Sequence, residues 1–156
     1  MRLVLSFAIF FALLGCFEKK IERRDGMFYE KISGKPLNMT GTFTGEFANK
    51  AMGEIKEGKL IGKWKFYHDN GEILEVSHWD NNAKNGPVTQ WYPNGSKKLE
   101  AVWEDDKLIS CSVWKPNGEK CNSTKIKNGD GVVVHYNEEG RVIAKSHIKN
   151  GKELAF

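Results

Sequence analysis

Apolar residues follow two different patterns in this chain. Leu3 to Leu14 form a run broken only by Ser6, with Arg2 before it and Gly15-Cys16 after it. Further along, apolar residues come in short stretches that alternate with polar ones, as in Trp64-Lys65-Phe66, with one β-branched run at Val132-Val133-Val134. Alternation with a period of two predicts strands that bury one face. No stretch after residue 15 carries a helical period.

Turn signals divide the strands at regular intervals. Asp69-Asn70-Gly71, Pro93-Asn94-Gly95, Pro116-Asn117-Gly118 and Glu138-Glu139-Gly140 place their glycines 24, 23 and 22 residues apart. A ring stands four residues before each glycine: Tyr67, Trp91, Trp114 and Tyr136. A large apolar residue stands eight after it: Trp79, Trp103, Ile126 and Ile148. A fixed period of this length marks one small unit copied along the chain. A second turn series, Gly58, Asn82, Asp106, Gly129 and Gly151, interleaves with the first. Gly, Asn and Asp tolerate a positive φ best, so all five suit one left-handed position. Each unit therefore reads strand, turn, strand, turn. Pro-Asn-Gly suits a three-residue hairpin loop closed by a glycine bulge. Strands of about six residues fit between the turns. The expected fold is all-β, a sheet of stacked antiparallel hairpins.

The first fifteen residues have the charged, apolar, small-residue layout of a secretory signal. Their apolar run spans 12 residues, short of the ~20 that a membrane span needs. Leu13-Leu14-Gly15-Cys16 resembles a bacterial lipobox. The resemblance implies cleavage before Cys16, lipidation of its sulfur and acylation (palmitate) of the new N-terminus. The alternative is a plain signal peptide with an incidental cysteine. Two or more acyl chains would give a stable anchor. Phe17 to Asp25 is charged and poorly apolar and reads as a solvated tether. The expected organisation is a signal peptide at 1–15, a lipidated cysteine and tether at 16–25, and one repeat domain at 26–156. The location implied is the bacterial cell envelope, lipid-anchored, on the outer membrane where the cell has one.

The turn residues and period also carry a family resemblance. "EGKLIGKWKFYHDNGEI", "NNAKNGPVTQWYPNGSK" and "KNGDGVVVHYNEEGRV" resemble the variant MORN repeats of YwqK-like bacterial proteins. "MFYEKISGKPLNMTGTFTGEF" is similar to their lead-in, and Gly41 and Phe43 echo Gly62 and Trp64. The unit after Trp103 departs from the pattern, with Ser110 in place of the glycine found at Gly62, Gly86 and Gly131. The resemblance implies an elongated antiparallel sheet of stacked hairpins. Some relatives are labelled antitoxins.

Measured from the loop centres, parity puts Tyr67 with Trp79, Trp91 with Trp103, Trp114 with Ile126, and Tyr136 with Ile148 on one face. Trp64, Phe66, Leu74, Val113 and Ile143 fall on the other, with Glu100, Lys98 and Lys145. Two uses of the ring-bearing face remain open. It is the core of a curled sheet, since antiparallel sheets commonly bury one face. Or it is a platform on which Tyr67, Trp79, Trp91, Trp103, Trp114 and Tyr136 bind a sugar or a partner's apolar side chains.

Chemistry-bearing residues add little. The chain carries 24 basic and 20 acidic residues, and the loss of Arg2 with the signal leaves 23 against 20. That balance, without a clustered basic stretch, gives no reason to expect nucleic acid. His68, His78, His135 and His147 occupy unrelated repeat positions, so no catalytic residue, metal site or cofactor is expected. Cys111 and Cys121 lie diagonally across one hairpin, with Cys111 opposite Ser123, and either form a disulfide or stay as two thiols. The leading expectation is a non-catalytic, membrane-tethered module presenting its sheet to a protein or an envelope polymer. An antitoxin or immunity-type protein that occupies a toxin is the alternative. An envelope enzyme using acids that the sequence does not single out is the third.

Overall fold

The computed structural model describes residues 21–25, 27–30, 35–36, 38–45 and 48–154, and among these there is no helix. The apolar run, Cys16 and the start of the tether lie outside the described residues. The described residues form fourteen strands. β1 (Ile21–Arg24) and β2 (Met27–Glu30) form a separate hairpin, so part of the segment read as a tether is paired. The repeat units supply β3 (Met39–Gly45), β4 (Ala48–Lys56), β5 (Lys59–Tyr67), β6 (Ile73–Asp80), β7 (Ala83–Lys84), β8 (Gly86–Trp91), β9 (Lys97–Glu104) and β10 (Lys107–Val113). These make one antiparallel meander in which each strand pairs with its sequence neighbour, β7 lying beside β6. β11 (Lys125–Lys127), β12 (Asp130–Tyr136), β13 (Val142–Lys149) and β14 (Lys152–Glu153) form a second sheet.

Both turn series take the expected backbone. Gly71, Gly95, Gly118 and Gly140 have φ of 87°, 79°, 85° and 77°. In the first loop Gly71 N donates to His68 O and His68 N to Glu72 O, which closes a three-residue hairpin. The asparagines of the first two loops work twice. Asn70 Oδ1 accepts from Glu72 N while its Nδ2 donates to Pro93 O, one unit on. Asn94 repeats this with Ser96 N and Pro116 O.

In the second series both central residues are left-handed: Glu57-Gly58, Asn81-Asn82, Asp105-Asp106, Asn128-Gly129 and Asn150-Gly151. Two such residues make the turn whose twist matches a hairpin. Asn82 and Asp106 add a clamp. Asn82 N donates to Leu60 O, and Asn82 Oδ1 accepts from Leu60 N at 2.7 Å. Asp106 does the same with Lys84. Asp106→Ala should therefore cost about 1–2 kcal/mol, from a lost hydrogen bond to a charged acceptor and from replacing a residue type that tolerates left-handed backbone. Asp106→Asn, by analogy with Asn82, should cost far less. Urea midpoints of the two variants check this, and equal midpoints would count against the clamp.

The third unit breaks. β10 pairs with β9 on one side, with a register shift between Leu108 and Ser110. Beyond the Pro116-Asn117-Gly118 turn only Lys120 bridges back, to Trp114. The chain then turns at Asn122-Ser123, residue types that favour turns over ladders. Cys111 therefore lies opposite Ala101, not Ser123. Where the other units place a left-handed glycine across from a bulky residue (Gly62 from Trp79, Gly86 from Trp103, Gly131 from Ile148), this unit has Ser110. Two apolar clusters result. One packs Phe28, Ala51, Ile55, Leu60 and Trp64, and the other joins Val88, Ala101, Leu108 and Val113 to Val133, Val134 and Ile148.

Candidate functional site

A bulge at the first, second and fourth of the glycine turns decides which side chains share a face. Tyr67 pairs with Ile73, but Phe66 pairs with Glu75, so one residue, Leu74, is extra. The same shift separates Trp91–Lys97 from Gln90–Leu99, and Tyr136–Val142 from His135–Ala144. An inserted residue reverses the parity of everything beyond it. Tyr67 and Trp79 therefore point to opposite faces, as do Trp91 and Trp103, and likewise Tyr136 and Ile148. This corrects the parity expected from the loop centres. Trp79 instead shares a face with Trp64 and Phe66.

In the large sheet the inner face carries Ala51, Ile55, Leu60, Trp64, Val88, Ala101, Leu108 and Val113, all buried. Its middle holds a polar group. Glu75 is 8% exposed and receives Lys84 Nζ at 2.8 Å and Gln90 Nε2 at 2.7 Å. Lys84 Nζ also lies 5.5 Å from the Trp79 ring and 5.7 Å from the Trp103 ring. Trp79 Nε1 donates to Ser77 Oγ, while Trp103 Nε1 is buried without a hydrogen-bond partner among the described residues. Trp79 and Trp103 thus wall an internal ion pair and are not an open row.

The outer face carries Tyr67, Trp91 and Trp114, each half-buried. They sit at the same position of successive units, two strands apart, hence about 10 Å. Lysines gather around them. Lys50 Nζ lies 5.0 Å from the Tyr67 ring, and Lys97 and Lys120 lie 5.1 and 5.4 Å from Trp114. Lys63 and Lys65 share this face, against Glu54 and Glu100. The sequence shows no basic cluster because these lysines come from different units, and only the pleat and the pairing collect them.

Tyr136 belongs to the same series but is buried, at 7% exposure. The turn at 122–123 folds the preceding segment toward it: Tyr136 OH donates to Cys121 Sγ at 3.1 Å, and Val134 N to Thr124 Oγ1. That hydrogen bond, then burial, pushes the Tyr136 phenol up to about 12. Burial pushes the Cys121 thiol up, but hydrogen bonds from Tyr136, Thr124 and nearby backbone outweigh it and hold the thiol below its usual range. Burial and the Cys121 charge push Cys111 up to about 11. Both cysteines are free thiols here. Tyr92, outside the repeating ring positions, is 2% exposed and donates its hydroxyl to Trp114 O, bracing the base of the outer row. Glu75 and Lys84 likewise stand outside the repeat signals of the sequence. Tyr92 could have been found as the residue after Trp91 on the opposite side of the pleat. Among the described residues no group of His, Cys, Asp and Glu is placed to hold a metal ion.

This arrangement of hairpins, glycines and rings has a counterpart. Residues 60–81 and 84–109 match the family model described as the MORN repeat variant. The chain carries two MORN repeat variants. They cover β5–β6 and β7–β10 as far as Ile109, so they contain Tyr67, Trp79, Trp91 and Trp103. MORN repeats are a non-catalytic type of repeat, commonly used as binding and scaffold modules. No curated protein matches the chain.

Proposed function

We propose that this protein is a non-catalytic binding module, tethered to a bacterial envelope membrane through lipid on Cys16, that holds a protein or envelope polymer on its outer face. The observation that carries the binding half is the bulge. It leaves Tyr67 and Trp91 half-exposed in one row with Trp114, while the core is built from other residues. Large rings at a flat surface supply contact area at low entropic cost, which is why they recur at binding hot spots. The MORN repeat variants support a binding or scaffold role over turnover. The tether rests on the apolar run and Leu13-Leu14-Gly15-Cys16.

Fatty-acid labelling of cells expressing wild type and Cys16→Ala tests the tether. Label and membrane association should both be lost in the variant, and equal labelling would refute lipidation at that residue. Cross-linking in envelope extract, with wild type beside Trp91→Ala, tests the face. Capture should depend on Trp91. A single stoichiometric protein captured that way would move the reading to the antitoxin or immunity type.

A further inference from the structure

We propose that the outer face takes a linear glycan bearing acidic groups, laid across the strands so that successive saccharides meet Tyr67, Trp91 and Trp114. This rests on the binding-module reading above and names its ligand class. Three features of the face converge on it. The rings recur every two strands, about 10 Å, which is close to the disaccharide repeat of an extended β-1,4-linked chain. A polymer with that repeat engages neighbouring units at once, and each further contact is then intramolecular. Second, the charge is complementary to an anion. Lys97 is engaged by Glu100 at 2.5 Å, whereas Lys50 and Lys120 sit on the Tyr67 and Trp114 rings with no carboxylate partner among the described residues. A ring holding an ammonium beside it offers a sugar face and its acidic substituent adjacent contacts. Third, the strands that lead to Trp91 and Trp114 carry short hydroxyls on this face, Thr89, Ser110 and Ser112, suited to sugar hydroxyls.

A lipid surface fits less well. Rings that bind membranes protrude, and these are half sunk between lysines. The more exposed large apolar side chains of this face, Met52 at 41% and Val102 at 42%, lie on β4 and β9, with β5, β6 and β8 between them.

The test uses the full chain and β-1,4-linked mannuronate oligomers of two, four and six residues. Neutral β-1,4-linked mannose oligomers, polyglutamate and phosphatidylglycerol vesicles are run beside them. The expected result is binding of the mannuronate hexamer about tenfold or more tighter than either the dimer or the neutral hexamer, weakening as salt is raised. The double variant Lys50→Gln/Lys120→Gln should lose about tenfold in affinity with an unchanged unfolding midpoint. Equal binding of acidic and neutral oligomers, polyglutamate as good as mannuronate, no dependence on length, or binding of vesicles alone would each overturn the glycan assignment. No oligomer binding beside Trp91-dependent capture from envelope extract would sink the glycan and leave the binding module standing. Loss of both would sink the two together.

Discussion

Gly53→Val should destabilise the protein by about 3 kcal/mol, the upper range of overpacking, whereas Lys63→Val on the outer face should change stability little. Gly53 lies in β4 between Met52 and Glu54, opposite the stretch of β5 from Gly62 to Trp64 that carries the extra residues of the bulge, and a missing side chain in a strand often marks close approach. A β-carbon there would land inside the Trp64 indole, against Cγ, Cδ2 and Cε2. The indole has nowhere to go. It is fully buried, and its Nε1 donates to Ile61 O at 3.1 Å and Glu54 O at 3.2 Å. Around it pack Phe28, Ala51, Ile55 and Leu60. Denaturant unfolding of the two variants decides it. Midpoints within error of each other would mean that Trp64 does not anchor this cluster.

The second large effect is expected at the internal ion pair. Lys84→Met should cost about 2–3 kcal/mol, because it leaves the Glu75 carboxylate with Gln90 alone in a mostly buried site. A fully buried pair would lose about 3–5 kcal/mol, but the Lys84 side chain keeps 22% exposure and that of Glu75 11%, so solvent screens part of the loss. The double variant Glu75→Leu/Lys84→Met should regain most of the stability, since apolar groups of similar volume commonly replace a buried pair without loss. Unfolding midpoints of the single and double variants separate the outcomes. A single variant as stable as wild type would show that the pair contributes nothing.

The all-β fold and the hairpin order were legible because backbone chemistry repeats at the glycines. A positive φ at Gly71, Gly95, Gly118 and Gly140 has no cheap substitute, so the turns stand out in the sequence. Asn82 and Asp106 were legible as left-handed positions, but not as clamps on Leu60 and Lys84, because that hydrogen bond joins residues one unit apart. The faces were misread for a single reason. Leu74 is one extra residue in β6, and nothing in its identity marks it as a bulge. Everything after it turns over, which moves Trp79 from the row of Tyr67 to the side of Trp64. The break in the third unit was visible as Ser110 in a glycine position. Its consequence, the burial of Tyr136 beside Cys121, depends on how Asn122-Ser123 turns and was not. Lys84 and Glu75 lie nine residues apart on paired strands and carry no motif.

The most direct test of the two-faced sheet is Trp91→Ala, measured for both unfolding and binding. Trp91 lies in the middle of the outer row, half-buried, on the opposite face from Trp103. The expected result is a small loss of stability, about 1 kcal/mol, well below the ~3–5 of a core aromatic, together with about a tenfold or greater loss of envelope-ligand binding. A loss of stability of core size with binding unchanged in the remaining folded protein would contradict it, and would place the binding surface elsewhere.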